Sequence, residues 1–232
     1  MIPVRVDSDE GRAPLCASAV LGMVSIGLII AVLQPTFGEL YRDYGLVPAR
    51  LLSPESWSLL GPFVQVRPLF TYVWLHDGLW HLGVNVWWLW IFGSPIERHV
   101  GSLRFGISVF ALMWVSAIGH ALISSTSIAP LVGSSGLVAG CMGMYVLVMP
   151  RGRVLMLVPT ALPWTINLQA GWFVGGWIAL QFILAMSARG VETEVAWWAH
   201  VVGFICGLFV GRWVGSQERV DDDVGPKPTA TV

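Results

Sequence analysis

The chain has 232 residues, of which 55% are hydrophobic and only 12% charged, and its net charge is −1. A soluble domain carries roughly twice that charged fraction, so a water-facing globule is excluded and the natural solvent is a lipid bilayer. The near-zero charge and the lack of a basic run exclude nucleic acid as a partner.

Other compositional features agree. Thirteen Trp suit membrane–water interfaces, where indole rings collect. Cys16, Cys141 and Cys206 stand far apart in apolar stretches, which predicts buried thiols rather than a disulfide framework or a metal site.

In chain order, residues 1–15 form a cytoplasmic N-terminal segment that mixes Arg5 and Arg12 with Asp7, Asp9 and Glu10. The apolar run that follows is longer than a signal-peptide core and long enough to cross a bilayer. Long apolar runs between charges predict six spans, at 16–35, 79–97, 104–124, 134–149, 168–187 and 196–214. The expected fold is therefore an all-α polytopic membrane domain over 16–214, a six-helix bundle. The fourth helix is short for a crossing and could start below the membrane surface, where irregular backbone needs protein or a water-filled cavity around it. The long loop 36–78 carries Pro48, Pro54, Pro62 and Pro68 among many aromatics. It is too apolar for disorder and is expected to associate with the membrane. The tail 215–232, with Asp221, Asp222 and Asp223, is expected to be solvated and disordered.

Lys and Arg set the orientation. Arg5, Arg12, Arg98, Arg104, Arg151, Arg153, Arg212, Arg219 and Lys227 fall on the side of the termini, against Arg42, Arg50, Arg67 and Arg189 on the other. Both termini are expected in the cytoplasm. The second, fourth and sixth helices then all start on the non-cytoplasmic side, and their starts hold the polar groups: His81 and Asn85, Gly133-Ser134-Ser135-Gly136, and His200. One depth and one side for all of these argue for a single site.

Spacing points the same way. His81 and Asn85, four apart, share a helix face. Ser135 sits at a helix N-terminus, where free N–H groups favour negative charge. Gly136 and Gly140 flatten one face of the fourth helix, and Gly203, Gly207 and Gly211 flatten the sixth. Small residues at that spacing let membrane helices approach closely, which would bring Ser135 to His200. A serine hydroxyl beside a neutral imidazole permits nucleophilic catalysis, and the oxyanion formed needs preorganised donors. No carboxylate occupies a matching position, so the expected constellation is a Ser–His dyad. His120 reads as an interface residue, His76 as a group that orders the long loop, and Glu97 as a capping or ion-pairing group. Met142, Met144, Met149 and Met156 read as packing residues.

These residues resemble the rhomboid family of intramembrane serine proteases over about residues 67–212. Three blocks carry the resemblance. One runs from Leu69-Phe70-Thr71-Tyr72 through His76, His81 and Asn85 to Trp87-Trp88-Leu89-Trp90, Glu97 and Gly101. The others are Gly133-x-Ser135-Gly136 with Gly140, and Ala199-His200 with Gly203 and Gly207. The resemblance implies a short fourth helix starting in a water-accessible cavity and a membrane-inserted first loop. It implies Ser135 as nucleophile and His200 as general base, with Asn85, His81 and the Ser135 N–H as oxyanion hole. Gly133 and Gly136 would support the site. The implied substrates are other transmembrane proteins, cut without metal or soluble cofactor.

Two positions depart from the family's pattern. Ala139 stands where many members carry an aromatic that stacks on the histidine, so another group must hold His200. Arg67 stands one residue before Pro68 instead of forming the usual Trp-Arg pair. The alternative reading is a catalytically inactive relative that binds or escorts membrane clients. A transporter or channel would call for an inverted repeat or paired broken helices, and the sequence has neither. The compact core points to a prokaryotic cytoplasmic membrane, with the site opening to the non-cytoplasmic side.

Overall fold

The computed structural model describes residues 2–6, 14–33, 38–158, 164–188 and 195–223. Residues 7–13 and 224–232 of the two terminal segments, and Arg189 after the fifth span, lie outside the described residues. The chain starts with strand β1 (Ile2–Val6) and helix α1 (Pro14–Leu33). The first loop folds into four short helices: α2 (Gly38–Tyr44), α3 (Pro48–Leu52), α4 (Pro54–Val66) and α5 (Pro68–Thr71). Its prolines explain the segmentation, because Pro48, Pro54 and Pro68 each open a helix, where a missing N–H costs nothing. Gly61, at φ +78, breaks α4 just before Pro62.

Then come α6 (Gly78–Val100), α7 (Ser102–Ile123), α8 (Ser135–Val148), strands β2 (Arg153–Val158) and β3 (Trp164–Gln169), α9 (Ala170–Ser187) and α10 (Trp197–Asp223). The first part of the segment 215–232 is thus helical. Among the described residues, α7, α9 and the Trp197–Gly215 part of α10 are long and apolar enough to cross a membrane. The protein is an integral membrane protein and mostly helical.

The expectation of helices alone needs correcting at one edge. β1, β2 and β3 form an antiparallel sheet in that order, with Ile2 opposite Leu157 and Arg153 opposite Gln169. Val154 and Met156 point into the core from β2, the alternation of a half-buried strand. The pairing ties the N-terminal strand to the hairpin between α8 and α9, so these two segments share one end of the bundle.

Glu97 joins three helices at that end. Its carboxylate accepts the N–H groups of Leu15 (2.9 Å) and Cys16 (2.8 Å) in the first turn of α1, and the Ser102 hydroxyl (2.7 Å) at the start of α7. An anionic acceptor suits the orphan donors of a helix N-terminus. The core between the helices holds Phe92, Leu112, Met142, Met144, Tyr145 and Met156, so the methionines around α8 pack as apolar filler. Arg67 anchors the first loop to itself, with Nη2 donating to the Asp43 carbonyl (2.6 Å) and the guanidinium 4.1 Å from the Tyr44 ring centroid.

Candidate active site

The irregular backbone before α8 is clamped by the first loop. Leu46 and Leu131 exchange both backbone hydrogen bonds, at 3.0 and 2.8 Å, and the Gly133 N–H donates to the Tyr72 carbonyl at 2.9 Å. Tyr72 is itself fixed by its hydroxyl, which donates to the Met113 carbonyl of α7 (2.6 Å). Buried backbone away from water needs such partners. Gly133 sits at φ +99, a conformation that glycine adopts without penalty. A Cβ there would also lie 2.8 Å from His81 Cε1 and 3.5 Å from Asn85 Nδ2. The missing side chain is what lets both α6 residues lie against the backbone just before Ser135.

Ser135 opens α8, so its amide has no acceptor within the helix. The glycine seams of α8 and α10 pack face to face. A Cβ on Gly203 would strike the carbonyl of Gly136, and one on Gly207 would strike that of Gly140. This close approach carries His200, one turn before Gly203, to Ser135: Nε2 lies 2.8 Å from Oγ.

The groups of α6 face the same point. Asn85 is buried, and among the described residues its Nδ2 has no hydrogen-bond partner. The Asp77 N–H donates to His81 Nδ1 at 3.3 Å. A neutral His81 ring therefore carries its proton on Nε2, the nitrogen that lies against Gly133. All four sequence-predicted residues, Ser135, His200, His81 and Asn85, line one open cavity of about 1020 Å³. The arrangement is a hydroxyl in contact with a base, beside two side-chain donors with room for an acceptor. Among the described residues no cluster of His, Cys, Asp or Glu could hold a metal ion.

Two placements differ from the sequence reading. His120, read as an interface residue, is 9% exposed and faces the same cavity, because α7 turns this position inward against α10 at Gly119–Val202. His76, read as a group that orders the first loop, accepts the Tyr41 hydroxyl at its main-chain carbonyl, while its ring Nε2 approaches the Ser134 hydroxyl at 3.5 Å, beside the site.

Two residues of α9 were missed altogether. Gln181 Oε1 lies 2.7 Å from His200 Nδ1, and the Trp177 ring leans on the imidazole at 5.8 Å between centroids. The available signal was a lone amide inside an apolar span, which is costly there and needs a partner. Together with Trp197 these two residues hold the His200 ring.

The family model described as a rhomboid domain matches residues 64–217. The chain is 28% identical over 196 residues to the rhomboid protease GlpG of Serratia proteamaculans, covering 83% of this chain and 61% of that one. It is 32% identical over 163 residues to the rhomboid protease GluP of Bacillus subtilis, covering 69% and 26%. It is 31% identical over 187 residues to the mitochondrial RHOMBOID-like protein 6 of Arabidopsis thaliana, covering 75% and 56%. The chain spans less than two thirds of the length of each of these relatives.

Proposed function

We propose that this chain, which belongs to the rhomboid family, is an intramembrane serine endopeptidase that cuts the transmembrane segments of other membrane proteins. The observation that carries the reading is the 2.8 Å contact between Ser135 Oγ and His200 Nε2, with His81 and Asn85 beside it in one cavity.

In this reading Ser135 Oγ attacks the scissile carbonyl carbon as its proton passes to His200 Nε2. The carbonyl electron pair moves onto oxygen, and the Ser135 N–H, Asn85 Nδ2 and His81 Nε2–H stabilise that oxyanion. Collapse breaks the C–N bond, and His200 returns the proton to the departing amine. A water molecule, deprotonated by His200, then attacks the acyl carbon, the C–Oγ bond breaks, and His200 returns the proton to Ser135 Oγ. The cavity supplies that water within a site otherwise walled by apolar helices.

The family reading extends to topology. We assign α1, α6, α7, α8, α9 and α10 as six spans, α8 being the short one at 14 residues. The polar groups of α6 lower its mean hydropathy, but Asn85, Ser94 and Glu97 are all buried inside the bundle. The loop helix α4 exposes Leu59 (84%) and Phe63 (77%), which supports membrane association of the first loop. The distribution of Lys and Arg supports cytoplasmic termini and a site opening to the opposite side.

The test is cleavage of a single-span substrate by the purified protein in liposomes. Cleavage by the parent and none by Ser135→Ala is the expected result. Equal binding of the substrate by both without cleavage would replace the protease reading by that of a client-binding relative.

A further inference from the structure

We propose that Gln181 is a positioning residue for the base, fixing the tautomer of His200 from the far side of its ring; this rests on the protease reading above.

A neutral imidazole has one N–H donor and one bare acceptor nitrogen. To take the Ser135 proton, Nε2 must be the bare nitrogen, so the ring proton must sit on Nδ1. An Nδ1–H buried in the bundle needs an acceptor. Gln181 Oε1, at 2.7 Å, is that acceptor. With the amide oxygen turned to His200 as it is here, the opposite tautomer would set two lone pairs against each other and leave Nε2 protonated towards Ser135, unable to act as a base.

The element that carries Gln181 is built for this. α9 buries Ala170, Val174, Gln181 and Ala185 along one face, while Leu180, Phe182 and Ile183 on either side are exposed to the surroundings of the bundle. Gln181 is the polar member of that inward face and is 5% exposed. Trp177, one turn earlier, and Trp197, at 6.0 Å and nearly perpendicular, bracket the imidazole ring. Those rings set its position but cannot accept an N–H bond in its plane. An amide also suits the depth better than a carboxylate, because it accepts the bond without burying a charge.

The test compares Gln181→Leu, which keeps the volume and removes the acceptor, with Gln181→Glu, which restores an acceptor at the same reach. Cleavage of a single-span substrate in liposomes gives kcat and KM. 15N NMR of histidine-labelled protein reads the His200 tautomer, the signal being assigned by its loss in His200→Asn. We expect Gln181→Leu to lower kcat about 10- to 100-fold, by analogy with the partners that orient metal-bound imidazoles through their second nitrogen, with KM changed less than about threefold. The Nδ1–H signature should weaken in Gln181→Leu and return, with most of the rate, in Gln181→Glu. Parent-like kcat in Gln181→Leu, an unchanged Nδ1–H signature, or a folded Gln181→Glu variant that regains the Nδ1–H signature yet stays as slow as Gln181→Leu would each overturn the assignment. If the parent itself cleaves nothing, the protease reading has failed, and the NMR comparison still decides whether Gln181 sets the tautomer.

Discussion

Gly203 of α10 rests on the backbone carbonyl of Gly136 of α8, with no room for a methyl group between them. That contact, repeated one turn on by Gly207 over Gly140, sets the distance between the two helices that carry His200 and Ser135. The site therefore depends on main-chain packing that can be tested apart from chemistry.

Gly203→Ala would force α8 and α10 apart. Overpacking of this kind costs about 1–3 kcal/mol, and the same displacement lengthens the Ser135–His200 contact. We expect a lowered Tm in detergent together with a kcat reduced at least tenfold. Gly175→Ala is the control, since a Cβ there meets nothing within 4 Å. It should match the parent in both measurements. A Gly203→Ala variant as stable and as active as Gly175→Ala would show that the seam does not fix the site.

Asn85 offers a buried donor with no partner among the described residues. A group held in that condition has a use when an acceptor arrives. Asn85→Ala should lower kcat about 10²- to 10³-fold with little change in KM, as for loss of one oxyanion donor. An unchanged kcat would remove Asn85 from the oxyanion hole and leave its burial to packing.

His76 lies in the first loop, outside the spans. Burial, and secondarily the neighbouring His81, hold its imidazole down to about 4. In the unfolded chain it would titrate near ~6.5, so between these values the unfolded state binds a proton that the folded state refuses. Stability rises with pH wherever the unfolded state binds more protons. This group should therefore cost stability as pH falls from about 6.5 towards 4. Tm measured across that range should fall less steeply in His76→Gln than in the parent. Parallel curves would mean that His76 is solvated in the folded protein.

Much of this arrangement is written in local sequence. The six apolar runs between charges coincide with α1 and α6 to α10, and among the described residues three of these are long and apolar enough to cross a bilayer. The glycine spacing on α8 and α10 announces a close approach, and that approach is what joins Ser135 to His200. Relations made only by the fold were not legible. β1 meets β2 across about 150 residues of chain, and nothing in Ile2–Val6 names that partner. The clamp of Leu46 on Leu131 and of Tyr72 on Gly133 is main-chain bonding, which leaves little trace in residue identity. His120 looked peripheral because a helix position shows its inward or outward face only once its neighbours are known. Gln181 could have been flagged as a lone amide in an apolar helix. Its partner could not, since His200 is on another element.

The most direct test of the central claim is labelling of the purified protein by a serine-reactive fluorophosphonate, with the modified residue mapped by mass spectrometry. A phosphonylated serine reports a hydroxyl activated by a base, independent of substrate choice. Modification is expected at Ser135 in the parent, and none at that residue in His200→Ala. Labelling of Ser135 that persists without His200, or no labelling of Ser135 in the parent, would contradict that claim.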